Sequence, residues 1–161
     1  MAIINQIESI ISNDRTIKAE NLIKETKILN IVRLAKMLVD LFGQEAPFKK
    51  IGKLEGKEIE LYLKDLDGYI TFILTPDKEN FDCYMGRANK PVSTILINVK
   101  QDKILDVVSD IIRSKHNIFG LIKLLKYILP GKAKIKGSYV AALKLARCLM
   151  IGKHNVYKKS L

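Results

Sequence analysis

Few residues in this 161-residue chain are of the kinds that carry covalent or metal chemistry, and their spacing assembles none of it. His116 and His154 are the only histidines, one in a lysine-flanked stretch and one close to the C-terminal end, and both read as surface residues. Cys83 and Cys148 are the only thiols. They are too few for a disulfide framework and lack the paired spacing of a zinc site, so they read as small core residues. The carboxylates Asp65 and Asp67 fall around a hairpin turn, where Asp is favoured for bonding its own backbone. Phosphate-loop, dinucleotide-binding, H-E-x-x-H and G-x-S-x-G patterns are absent. No catalytic residue, metal site or cofactor is expected, and the chain is read as a non-enzyme.

What the chain offers instead is ammonium groups set against apolar surface. Its net charge is +11, and the placement of that charge is more telling than its size. Residues 111–161 hold twelve Lys plus Arg and no Asp or Glu, whereas residues 1–110 hold sixteen basic against all seventeen acidic side chains. An acid-free basic segment suits an anionic partner, either a phospholipid surface or nucleic acid. Lys outnumbers Arg 23 to 5, and the late helices offer few polar reading residues, so nucleic acid is disfavoured. An anionic membrane surface is the candidate macromolecular partner.

The elements that position these groups follow from periodicity. Residues 131–153 read as a strand in which Lys132, Lys134 and Lys136 alternate with Ala133 and Ile135, then a turn at Gly137, then an almost wholly apolar helix. On that helix Lys144 and Arg147 share one narrow side, while Leu143, Leu145, Leu149 and several alanines fill the rest. A helix so poor in polar residues is covered on most of its circumference, as a core element or as one wall of an apolar cavity.

Upstream, Ile3, Ile7, Ile10 and Ile11 recur at helical spacing before a stop at Ser12, Asn13 and Asp14. A second helix is expected over 16–42, interrupted near Thr26, with Leu22, Leu29, Val32, Ala35, Leu38 and Val39 on one side and Gly43 at its end. Residues 44–56, holding Pro47 and Gly52, are expected as a loop or irregular strand. Ile59, Leu61 and Leu63 alternate with Glu58, Glu60, Tyr62 and Lys64, which predicts a strand with one wet face. Turns at Asp67–Gly68 and around Pro76 to Asn80 lead into strands over 69–74 and 81–85, an antiparallel meander; a fourth strand is expected over 92–99. Helices are expected over 102–113 and 117–129. On the second of these Phe119 stands between Lys123 and Lys126, opposite a broad apolar face. An aromatic ring flanked by ammonium groups suits an interfacial membrane contact, so Phe119, Lys123, Lys126, Lys132, Lys134 and Lys136 are the candidate membrane-contacting residues.

The run KAKIKGSYVAALKL, and the order of the elements before it, resembles the sterol carrier protein 2 (SCP2) sterol-binding domain family over about residues 47–153. The resemblance implies an α+β fold: a five-stranded mixed sheet covered on one face by helices, with an apolar tunnel between the layers for sterols, fatty acids or other lipids. The expected domains are a helical extension, 1–44, packed on the domain, and an SCP2-like lipid-binding domain, 45–161. A tunnel of this kind needs shape and apolar lining, and the candidates for that lining are Phe72, Ile95 and Ile97 from the sheet with Leu121, Leu124, Leu125, Ile128, Leu143, Leu145 and Leu149 from the late helices. The function implied is non-catalytic lipid binding or lipid transfer. The alternative is a basic nucleic-acid-binding or protein-interaction module. With two unpaired cysteines and no apolar run of about 18 residues, a cytoplasmic setting is expected.

Overall fold

A computed structural model of the chain describes residues 2–103, 106 and 131–149, with the side chains of residues 2–11 and 101 left aside. The expected helices over 102–113 and 117–129 lie outside the described residues, apart from a 3-10 turn at Gln101–Lys103 and the helical Asp106.

The first element corrects the expectation of two interrupted helices: α1, Ala2–Phe42, is one continuous helix. Neither Gly nor Pro occurs before Gly43, and the polar residues thought to break it bond within it. Thr26 donates to the Leu22 carbonyl at 2.8 Å and Thr16 to that of Ser12 at 2.9 Å, so neither hydroxyl competes for a non-helical backbone. Asp14 and Lys18 form an i,i+4 ion pair at 2.9 Å. The inward face is also corrected. Ile28, Ile31, Val32, Ala35 and Val39 are buried and Leu38 is half-buried, but Leu22 and Leu29 are exposed. With about 100° between successive residues, Leu29 points well away from Ile28, and Leu22 follows Leu29.

The segment expected as loop or irregular strand holds a short helix, α2, Glu45–Lys49, and a 3-10 turn, Gly52–Leu54. Pro47 is tolerated because it falls in the first turn, where backbone N–H groups have no intrahelical partner. The helix drives Phe48 into the core, with Phe81 edge-on at a centroid separation of 6.0 Å.

Five strands follow: β1 Glu58–Leu63, β2 Gly68–Ile73, β3 Asp82–Met85, β4 Ser93–Ile97 and β5 Ala133–Gly137. Their order in the sheet is β3-β2-β1-β4-β5, with β1 and β4 parallel and the other pairs antiparallel. Residues paired across strands share a face. Ile59 opposite Phe72, Leu61 opposite Ile70 and Ile95, Leu63 opposite Ile97, and Ile95 opposite Ile135 therefore build one apolar face. The last helix, α3, Tyr139–Leu149, packs on that face together with α1. As the alternation predicts, β5 is an edge strand with Lys134 and Lys136 exposed, Ala133 buried and Ile135 half-buried; Lys132, just before it, is exposed too.

The opposite face of β1, expected to be wet, is only partly so: Glu58 and Tyr62 are half-exposed, but Glu60 is not. Glu60 is 3% exposed because the loop 86–91 folds back over it. Its carboxylate accepts the Ala88 N–H at 3.2 Å and the Thr94 hydroxyl at 3.5 Å, with Arg87 Nε at 3.6 Å. Arg87 also lies 4.7 Å from the centre of the Tyr69 ring, which stacks on Tyr62 at 4.6 Å. Glu58 fixes the same loop through the N–H groups of Asn89, at 3.1 Å, and Lys90, at 3.4 Å.

Gly137 joins β5 to α3 with φ of +86°, and a Cβ there would come within 2.6 Å of the Val92 carbonyl oxygen. Gly137→Ala should therefore destabilise the protein by at least about 1 kcal/mol, the cost of a left-handed non-glycine residue alone. The measurement is the midpoint of chemical denaturation, with the exposed Lys136→Ala as a control expected to move it much less.

Candidate functional site

The apolar faces of the sheet, α1 and α3 do not meet everywhere. Between them lies a cavity of about 110 Å³ lined by Ile31, Ala35 and Leu38 from α1, Leu61, Phe72, Ile95 and Ile97 from the sheet, and Ala142, Leu145, Ala146 and Leu149 from α3. The strand residues are held by register, being paired or diagonal neighbours on one face. The helix residues arrive by spacing: Ile31, Ala35 and Leu38 follow at four and three, and Ala142, Leu145, Ala146 and Leu149 repeat the same steps along α3. Every described lining side chain is apolar, and none of these carries acid–base chemistry. It can remove hydrocarbon from water, at about 25 cal/mol per Å².

Of the residues named from the sequence as tunnel lining, Phe72, Ile95, Ile97, Leu145 and Leu149 line this cavity. Leu143 is half-buried elsewhere on α3 and does not. Leu121, Leu124, Leu125 and Ile128 lie outside the described residues, as do Phe119, Lys123 and Lys126. Sequence reasoning missed Ile31, Ala35, Leu38 and Leu61, along with the alanines of α3. A signal for the first three was present: a small residue, Ala35, centred in the densest apolar repeat of α1 marks a place where something else must fit.

Polar contacts hold the helices over the cavity from outside. Lys36 of α1 reaches Asp82 of β3 at 2.8 Å, and that hydrogen bond raises the Lys36 pKa above the usual lysine value. Lys78 donates to the Asp40 carbonyl at 3.0 Å. These two lysines also border an open groove of about 270 Å³ beside Met37 and Phe81, whose charged lining suits no apolar ligand. On the other helix, Lys144 donates to the carbonyls of Lys50 at 2.7 Å and Ile51 at 2.8 Å, tying α3 to the chain just after α2.

Both thiols are buried next to these elements. Burial pushes the Cys83 thiol up to about 11, against a smaller lowering by Lys36, and the Cys148 thiol up to about 12, against Lys144. No group of three or more His, Cys, Asp or Glu able to hold a metal ion occurs among the described residues, and no described helix is long and apolar enough to cross a membrane.

No family model and no curated protein matches the chain. Solved structures do match in fold. A UbiJ-SCP2 ubiquinone synthesis protein superposes with a TM-score of 0.52 and 14% identity, covering 75% of this chain and 90% of that one. Sterol carrier protein domain 2 of Helicoverpa armigera matches with a TM-score of 0.49 and 17% identity over 76% and 85% of the two chains. Sterol Carrier Protein 2 Like 2 of Aedes aegypti gives 0.44 and 16% over 76% and 95%. The first of these carries the fold, and the fold is α+β and SCP2-like, as the KAKIKG run and the order of strands implied.

The raised thiol values give a test of the packing around the cavity. At pH 8 Cys83 and Cys148 should not react with an aromatic disulfide reagent in the folded protein, and both should react in guanidinium chloride. Because the folded values lie above that of an exposed thiol, about 8.5, the stabilisation from keeping both thiols neutral is complete below that pH. It falls away as pH rises towards the folded values of about 11 and 12. Denaturation midpoints between pH 7 and 11 should drop more for the protein than for Cys148→Ala.

Proposed function

We propose that the protein binds an apolar lipid between its sheet and helices and carries it, without catalysing a reaction. The observation that carries this reading is the cavity between layers, apolar on every described wall and built from three separate parts of the chain. The SCP2-like fold, shared with the UbiJ-SCP2 ubiquinone synthesis protein, supports it. The scarcity of chemically competent side chains supports the non-catalytic part of the reading, as does the burial of both thiols.

A carrier must exchange its ligand with a bilayer, and the exposed Lys132, Lys134 and Lys136 supply a cationic edge for that encounter; Phe119, Lys123 and Lys126 remain candidates from the sequence alone. The inner side of the same strand, Ala133 and Ile135, pairs with Ile97 and Ile95 of the cavity wall, so docking by this edge brings the cavity close to the headgroups. Each Lys near an anionic surface contributes about 1 kcal/mol, an attraction that falls off within a Debye length. We place this exchange in the cytoplasm, where the thiols stay reduced.

Two experiments test the reading. Organic extraction of the purified protein followed by mass spectrometry should recover a lipid, or the stripped protein should take one up from solution; a protein that takes up none from several lipid classes is no carrier. In sedimentation with vesicles, binding to phosphatidylcholine containing phosphatidylserine should exceed binding to phosphatidylcholine alone, fade as salt is raised, and fall several-fold in a Lys132, Lys134, Lys136→Ala triple variant. Equal binding to both vesicle types, or tighter binding to DNA than to anionic vesicles, would assign the basic segment to the alternative role.

A further inference from the structure

We infer that the first turn of α3 is the point at which the protein enters a bilayer: Tyr139 and Val140 pass into the acyl boundary of an anionic membrane while the ammonium groups beside them meet its phosphates. This rests on the docking reading above and supplies the apolar part that a cationic edge lacks.

The buried side of α3 is Ala141, Ala142, Leu145 and Cys148, and about 100° per residue turns Tyr139 and Val140 away from it. These two side chains are 65% and 61% exposed. The turn that carries them is fixed. Ser138 caps it, its hydroxyl accepting the Ala141 N–H at 3.2 Å and its carbonyl accepting the Ala142 N–H at 3.2 Å, and its own N–H donates to the Val92 carbonyl at 2.9 Å. The tyrosine ring and the branched valine are therefore held outward by backbone bonds, two and three residues before Ala142 at the cavity wall.

Cations stand around the pair. Lys136 is exposed just before the turn, and Arg147 is exposed two turns after Tyr139 on the same side of α3. Val140 lies one turn before Lys144, whose ammonium reaches the Lys50 and Ile51 carbonyls, so the exposed Lys49 and Lys50 arrive at this side from far along the chain. Residues 131–149 hold no carboxylate, and α2 contributes one, Glu45, at its first position. An acidic protein matches this charge, but two side chains offer far less than the about 800 Å² per partner that a stable protein interface buries. Nucleic acid gives Val140 nothing to enter. A bilayer suits the arrangement: a tyrosine ring sits at its interface with the hydroxyl towards the headgroups, the valine goes below, and Lys and Arg lay their stems on apolar surface while their charges reach phosphate.

The full chain has no tryptophan, so Tyr139→Trp makes a single fluorescent reporter. On vesicles of phosphatidylcholine with phosphatidylserine its emission should move to the blue and be quenched by lipids brominated on their acyl chains, whereas Tyr84→Trp, on the far edge strand β3, should show neither change. In sedimentation at a salt concentration that still leaves the wild type partly bound, a Tyr139→Ala, Val140→Ser double variant should bind at least about tenfold more weakly, because burying a side chain the size of Val contributes more than that factor. Leu22→Ser, on α1 and exposed to the same degree at 64%, should bind as the wild type does. All these side chains are exposed, so circular dichroism and Tm should stay native. Vesicle binding that leaves the Tyr139→Trp indole in water, or a folded double variant binding at wild-type strength, overturns the inference and leaves electrostatic docking in place. A wild-type protein that binds no anionic vesicle overturns the docking reading and this insertion together, while lipid extraction still judges the carrier reading. The reporter and the double variant are scored separately, so if either fails to fold the other decides.

Discussion

The parallel pairing of β1 with β4 is the constraint on which the rest of this structure depends. A parallel neighbour cannot be reached by a tight turn, so the chain leaves β1, makes the β2–β3 meander on one side, and returns on the other. That return sets Ile95 beside Leu61 and Ile97 beside Leu63, which extends the apolar face across the centre of the sheet. It also puts β4 between β1 and β5, so β5 is an edge strand of the sheet, with Lys134 and Lys136 exposed. With β1 held by β2, slipping this one pairing by a residue would turn Ile95 and Ile97 outward and bring Thr94 and Leu96 inward.

Among the described residues, α1 and α3 pack on that face. The stripe Ile28, Ile31, Val32, Ala35 and Val39 seats α1 over β2 and β3, while Ala141, Ala142, Leu145 and Cys148 seat α3 on the sheet's other half. Ladder hydrogen bonds are absent at these contacts; what holds the helices is burial plus a few surface anchors, Lys36 to Asp82, Lys78 to the Asp40 carbonyl and Lys144 to the end of α2. The strands that fix the cavity's geometry by register and the helices that cover it are thus different parts of the chain.

The other side of the sheet shows how a carboxylate is made tolerable in a buried position. Glu60 alternates correctly with Ile59 and Leu61, and a two-layer reading leaves it in water. The loop 86–91 covers it instead and supplies a backbone N–H and a guanidinium, while β4 supplies the Thr94 hydroxyl. The charge is buried with its partners assembled around it, which is the condition under which such burial is tolerated.

By itself the sequence determined what is local. The five strands follow from alternation and turn residues, the exposed lysines of β5 from a period of two, the turn into α3 from Gly137, and the burial of the two cysteines from their apolar neighbours. The meander was equally readable, because strands joined by short turns pair with each other. Half the sheet and helix residues assigned to the tunnel, Phe72, Ile95, Ile97, Leu145 and Leu149, stand at the cavity because each lay on the apolar side of its own element. Tertiary structure alone decided the rest: that β4 runs parallel to β1, that Glu60 is covered, that α1 continues unbroken through Thr26, and that Ile31, Ala35 and Leu38 form the cavity's third wall. Periodicity reports which side of an element is apolar, but the partner meeting that side comes from far along the chain. A cavity exists only where three such sides fail to fill the space between them.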